Sequence, residues 1–375
     1  MNRRPILTAW FAVWVILGST AQPALAADLT ADAALAAARA ATRYMISAET
    51  EEGRFLYQFD FLLGRFVDGD NIVRQAGAGY SLNQYVFLTL DPAVLEPGRR
   101  ATAYAAARSV PWGGGKLVST DGSTAKASIG GTALAALGAI YGLRLQDQPA
   151  LRGNVQSWID GLISSQLPNG AFPSAPGKSE QDSYGSGEAW LALAHWAAFN
   201  PGDAEAGAAL RRADQALLAY YSDTPNLQFF HWGLQAAAKR LESTGDTRFV
   251  QFIKQQLGAY LDRLVPQPRP NANSCAAVEG LVAAVGALGR ASDTDAGLVA
   301  RVQARIELEL NKSLALQIKP KQDRVSFDAN RYYSDPKISN FAGGFLDNAL
   351  ELQMRIDSTQ HCLSALLAYW QVLSP

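Results

Sequence analysis

Two glutamates stand in segments that otherwise hold small and apolar residues: Glu188 in YGSGEAWLALAHW and Glu279 in CAAVEGLVAAVGAL. An ionised carboxylate in an apolar helix is costly unless it is paired or faces a wet cavity. Both also fall near a helix start, where negative charge complements the macrodipole, so a purely structural role stays open. Asp182 directly precedes the first segment, and Asp70-Asn71 precedes another of the same kind, IVRQAGAGYSLNQ. Such residues suit helix N-caps, and at the mouth of a cavity a capping residue also reaches substrate. Asp60, in Tyr57-Gln58-Phe59-Asp60, is an acid among aromatics on a strand-like stretch and lacks a capping explanation. Carboxyl groups held in a cavity supply or take up protons, which makes Glu188, Asp182, Glu279 and Asp60 the candidate catalytic residues.

The candidate binding residues surround them. Arg74 and Arg355 fall in the first turn of their helices, where a cation opposes the macrodipole and needs an anion nearby. That anion is either Asp70 or Asp357, or the carboxylate of a substrate gripped by the guanidinium fork. Gln75, Tyr184, His231 and Tyr333 stand at comparable places. In Arg355-Ile356-Asp357-Ser358-Thr359-Gln360-His361, Asp357 and His361 are one helical turn apart, which suits a carboxylate orienting an imidazole or a plain ion pair. His195, late in its helix, reads as a packed distal residue. The two cysteines, Cys275 and Cys362, begin consecutive buried segments and read as a disulfide or as buried thiols. With His361 they are also a conceivable zinc set, the only cofactor the sequence suggests.

The elements that must position these residues form a repeat. Six small-residue-rich helical segments begin near Ile72, Ser128, Tyr184, Phe230, Cys275 and Ser358. Aligning Gln75, Gly131, Glu188, Trp232, Glu279 and His361 brings them into step at intervals of 56, 57, 44, 47 and 82 residues. Helices apolar nearly all round are buried on every side, and Ala and Gly let neighbours approach closely. Between them lie six amphipathic helices, expected over residues 31–47, 91–109, 149–166, 203–220, 246–264 and 295–314. Amphipathic then buried helix, six times over, predicts an inner ring wrapped by an outer ring.

In this pattern the chain resembles the six-hairpin (α/α)6 toroid proteins, a glycosidase-like superfamily that includes many glycoside hydrolases, polysaccharide lyases and sugar epimerases. The resemblance covers nearly all of residues 27–375 and implies an all-α, single-domain toroid with small β-hairpins in the long loops. It implies a carbohydrate substrate and, most simply, glycoside hydrolysis, with one acid protonating the leaving oxygen and the other activating water or attacking the anomeric carbon. The alternatives are a polysaccharide lyase or uronate epimerase with a Tyr or His base and an Arg neutraliser, a zinc toroid enzyme, and a toroid that only binds glycan or peptide.

The connections are unequal. Inner-to-outer turns are short, whereas Glu51–Asn71, Val110–Lys126, Leu167–Ser183 and Gln317–Arg355 are long. Alternating helix direction gathers the long ones at the end where the inner helices start, and surplus loop of this kind usually builds a site. The first reads as a β-hairpin, and Arg324-Val325-Ser326-Phe327 as part of another.

Residues 1–26 are expected to be a secretory signal: Arg3 and Arg4, an apolar run from Ile6 to Leu17, and Ala24-Leu25-Ala26 as cleavage site. The run is too short for a membrane span. A periplasmic or secreted monomer without a membrane span in the mature chain is the expectation. Losing Arg3 and Arg4 leaves 31 basic against 34 acidic residues, too balanced for nucleic acid to be the main partner.

Overall fold

The structure, a computed structural model, describes residues 29–291, 295–326 and 332–374. The expected signal segment lies outside these. Twelve helices alternate along the described chain. The outer set is α1 (Ala31–Ser47), α3 (Leu95–Ala107), α5 (Pro149–Ser165), α7 (Ala204–Asp223), α9 (Thr247–Ala259) and α11 (Ala296–Leu314). The inner set is α2 (Ile72–Thr89), α4 (Ile129–Leu145), α6 (Ser183–Phe199), α8 (Leu227–Thr244), α10 (Cys275–Leu288) and α12 (Ile356–Leu373). All six expected pairs are present.

Each inner helix packs against the next, and α12 returns to α2, so the inner ring is closed. The outer helices cover it: α3 on α2, α5 on α4, α7 on α6, α9 on α8, α11 on α10, and α1 on α12. Composition explains the closeness of the inner contacts. A Cβ on Gly280 of α10 would lie 2.8 Å from the His231 Cα of α8, so glycine is what lets these two backbones meet. The outer helices bury one stripe, as their sequences require; in α9 this is Phe249, Val250, Phe252, Ile253 and Leu257.

Most outer-to-inner connections are long, but α7 to α8 takes only Thr224–Asn226. The first connection forms the expected hairpin, β1 (Gln58–Asp60) with β2 (Arg65–Phe66). The second contains β3 (Ser109–Trp112), β4 (Gly115–Ser119) and β5 (Ala127–Ser128), a three-stranded antiparallel sheet that helical periodicity did not announce. The last contains the second expected hairpin, β6 (Arg324–Ser326) with β7 (Tyr332–Ser334). It ends in β8 (Gln353–Arg355), which pairs with β1 through Gln58↔Arg355 and Phe59↔Met354. This pairing ties the first long loop to the last, and Phe59, Phe61 and Phe341 pack beneath it. Arg355 is thereby held at a strand-to-helix junction. Among the described residues, no helix is long and apolar enough to cross a membrane.

Candidate active-site cavity

A cavity of about 410 Å³ opens at the end where the inner helices begin. Its wall takes Arg74 from α2, Leu134 from α4, Tyr184 and Glu188 from α6, His231 and Trp232 from α8, and Asn273 and Ala276 at α10. Asp347, Arg355, Asp357, Gln360 and His361 complete it from the last connection and α12. Helix starts are fixed by caps: Asn71 Oδ1 accepts from the Val73 and Arg74 amides, and Asp182 Oδ2 accepts from the Gly185 amide at 2.6 Å.

One wall is cationic. Both arginines grip the same carboxylate: Arg74 Nε donates to Asp357 Oδ2 at 2.9 Å, and Arg355 Nε donates to Asp357 Oδ1 at 2.6 Å. Arg74 also donates to the Tyr57 hydroxyl, and Arg355 lies 3.6 Å from Asp347. Burial alone would raise the Asp357 pKa, but the hydrogen bond and charge of Arg355, with Arg74 beside it, hold it below the ordinary value. The compensating anion for the two first-turn cations is therefore one aspartate shared by both. Two guanidinium groups around one carboxylate leave donors free for a second anion.

The floor holds two imidazoles. The His231 and His361 rings are 5.5 Å apart and nearly perpendicular. His361 Nδ1 lies 3.0 Å from Glu279 Oε2. Burial pulls the His361 pKa down, but the Glu279 carboxylate overrides it and raises it above the ordinary value. His231 is pushed well below, by burial and by the charge of His361, and its ring makes no hydrogen bond among the described residues. The two rings are therefore biased oppositely, His231 toward the free base and His361 toward the protonated form. Environments that separate two pKa values in this way assign base and acid roles.

Glu188 stands on the third side, 3% exposed, without a hydrogen bond or ion pair among the described residues. Its Oε2 reaches so close to Gly130 of α4 that a Cβ there would lie 1.8 Å away. Burial, then the charge of Asp182, push its pKa up to about 8, against the opposing effect of His361. The carboxyl is therefore protonated near pH 7.

The cavity thus brings together Arg74, Tyr184, Glu188, His231, Arg355, Asp357 and His361 from the residues singled out in the sequence. Asp182 caps α6 at the rim. Glu279 acts from behind His361, and His361 takes Glu279, not Asp357, as its partner. Asp60 accepts the Leu62 and Leu63 amides, so it closes the turn of its hairpin after all. Asp70 accepts from the Asn71 amide and from Gln75, while Gln75 is buried and exchanges hydrogen bonds with the Phe55 backbone. Tyr333 is bonded to Asp335 on the outer hairpin. Asp60, Asp70, Gln75 and Tyr333 do not line the cavity.

Asn273, Asp347 and Tyr57 were not singled out by sequence. They lie in the connections, where no helical spacing marks them. Asn273 does sit just before a buried repeat, as Asp70-Asn71 does, and that position was a usable signal.

Cys275 and Cys362 form a disulfide between α10 and α12, with Cα atoms 4.7 Å apart. Neither sulfur is left as a thiolate, so the Cys275–His361–Cys362 zinc set is not assembled. His231, Glu279 and His361 offer donor atoms within 4.8 Å of one another, but the Nδ1 and Oε2 that face each other are joined in a hydrogen bond.

No protein-family model matches the sequence. No curated protein matches it either. Solved structures do match. An inactive variant of the α-1,6-mannanase GH76A of Salegentibacter sp. HEL1_6, in complex with alpha-1,6-mannotetrose, superposes at TM-score 0.63 and 9% identity, covering 90% of this chain and 99% of that one. The unsaturated glucuronyl hydrolase of Bacillus sp. GL1 does so at 0.62 and 14%, covering 92% and 98%. A D-mannose isomerase does so at 0.61 and 12%, covering 92% and 97%. At these identities the likeness speaks for architecture alone, and it agrees with the closed ring of helices: by fold, this chain is a six-hairpin (α/α)6 toroid.

Proposed function

We propose that this protein is an exported carbohydrate-active enzyme that moves a proton on a sugar carbon beside a carbonyl or carboxylate, as an isomerase or epimerase does. The observation that carries this reading is the pair His231 and His361, 5.5 Å apart on the cavity floor with pKa values displaced in opposite directions. Neutral His231 removes the proton from carbon. The electron pair passes to the carbonyl oxygen, which takes the proton of His361. Reprotonation at the neighbouring carbon, or on the opposite face, completes the exchange. Protonated Glu188 donates a hydrogen bond to the sugar, and Arg74 and Arg355 stabilise negative charge. One of the similar folds is a D-mannose isomerase. The disulfide suits an oxidising compartment, periplasm or medium.

Glycoside hydrolysis is the second reading, favoured by Glu188, a carboxyl still protonated near neutrality, and by similar folds that are hydrolases. It lacks an obvious second acid. The other carboxylates lining the cavity, Asp347 and Asp357, are bonded to Ser358 and to the arginines. The inactive mannanase variant replaces two consecutive aspartates, and this chain has no Asp-Asp pair. Turnover in D2O decides between the two. Carrying a panel of aldoses and uronic-acid oligosaccharides through mass spectrometry, we expect deuterium bound to carbon in the product, lost in His231→Ala. Cleavage without carbon-bound deuterium, with oxygen taken from labelled water, would overturn the isomerase reading in favour of hydrolysis.

A further inference from the structure

The opposite end of the ring also holds a cavity, about 880 Å³ in volume, between the last turns of the inner helices. Four buried polar atoms on its lining residues have no hydrogen-bond partner: Gln84 Oε1 of α2, His195 Nδ1 of α6, Glu279 Oε1 of α10 and Ser364 Oγ of α12. Buried polar atoms are nearly always satisfied by protein or by ordered water. Four of them around one roomy cavity make it a place for water.

Glu279 is what connects this cavity to the first. It lines the second cavity, while its Oε2 holds the Nδ1 of His361, a residue that lines the first. One carboxylate thus spans the partition, with one oxygen bonded to the imidazole and the Ser364 hydroxyl facing the group from the second cavity. We propose that the second cavity is a water-filled proton passage, and that Glu279 relays protons through it between solvent and His361. A proton from cavity water binds Oε1, and the proton shared between Oε2 and Nδ1 settles on the imidazole. The reverse sequence removes it, so charge and proton count balance.

The groups facing Glu279 suit the role. They are His361 and Ser364 from α12, His231 from α8 and Tyr80 from α2. Burial raises the Tyr80 hydroxyl well above its ordinary pKa, so it stays neutral. Further along the cavity, burial and then the charges of Arg144 and Lys239 keep His195 neutral as well. Lys239 is paired with Glu242. Among these groups, the proton between Glu279 and His361 is the one held between two titratable partners.

The need for a rear passage rests on the proton-transfer reading, since a sugar in the first cavity would cut His361 off from solvent. The passage itself can be measured without turnover, so it can fail while that reading stands. The chain has three histidines, which makes imidazole N–H exchange resolvable by nitrogen-edited NMR. Ala276→Trp obstructs the first cavity and Ala283→Phe the second. We expect His361 exchange to stay within about twofold of wild type in Ala276→Trp, and to slow at least about tenfold when Ala283→Phe is added. Glu279→Gln should slow it similarly with the second cavity open. Slow exchange in Ala276→Trp alone, or no effect of filling the second cavity, would overturn the proposal. Should Ala283→Phe fail to fold, Gly286→Phe serves the same purpose, because a Cβ there meets only Val372 at 3.6 Å and Arg290 at 4.0 Å.

Discussion

Glu188 gives the sharpest test at the scale of single residues. Its folded pKa of about 8 lies above the ordinary carboxyl value, so the folded state binds the proton more tightly than the unfolded chain. Stability therefore falls as pH rises from the unfolded value through about 8, where the buried group must ionise. Glu188→Gln removes that cost. It should leave the melting temperature nearly unchanged at pH 5 and raise stability at pH 9 by a few kcal/mol, since each tenfold difference in proton affinity between the two states contributes about 1.4 kcal/mol. Equal effects at both pH values would mean that the carboxyl is already ionised. Glu279→Gln acts in the opposite sense on its partner. With the carboxylate gone, the His361 pKa should fall, since the strongest of the effects that oppose burial is removed and only the weaker charges of Asp357 and Glu188 remain. A histidine titration by NMR reads this directly. Gly130→Ala probes the Glu188 side of the cavity sterically, since the new methyl overlaps Glu188 Oε2. Activity should fall at least about tenfold while the fold survives, because the flexible end of the glutamate gives way before the backbone does.

At the scale of elements, the disulfide joins the starts of α10 and α12, the helices that carry Glu279 and His361. It closes a loop with a sequence separation of 87 residues. Chain-entropy arguments make such a link worth about 4 to 5 kcal/mol in the unfolded state. Thermal unfolding with and without a thiol reductant should show a large drop in melting temperature, matched by Cys275→Ala with Cys362→Ala. An unchanged midpoint would show that the bond is not formed in solution. The β1–β8 pairing is a second device of this kind, holding Arg355 against Arg74 through a register that joins loops nearly 300 residues apart.

At the scale of the molecule, closure of the ring is what α1 completes. It covers α12, the helix that supplies Asp357 and His361, and Gln317 of the last connection donates to the Ala37 carbonyl. Deleting residues 29–47 would expose the apolar back of α12 and should abolish a single cooperative melting transition. If the shortened chain still unfolds in one sharp step, the remaining helices cohere without α1.

The helical periods were legible because each helix is a local decision. Ala and Gly all round in the segment from Ser128, or one apolar stripe in α9, dictates buried or half-buried helix wherever the chain goes next. Direction then followed from alternation, and with it the end that carries Arg74, Glu188, His231, Asp357 and His361. Pairing was not legible, because it depends on distances across the ring. Nothing local tells that His361 meets Glu279 and not Asp357, or that Arg74 and Arg355 share one carboxylate. Asp60 had no cap in its sequence context but closes a turn once β1 and β2 fold back. Residue order was thus enough for the twelve helices and for the end at which the inner helices start. Which acid is buried without a partner, which histidines meet, and that a second cavity stands behind Glu279 all came from the assembled ring. Those are properties of burial and proximity, and they arise only once the ring closes.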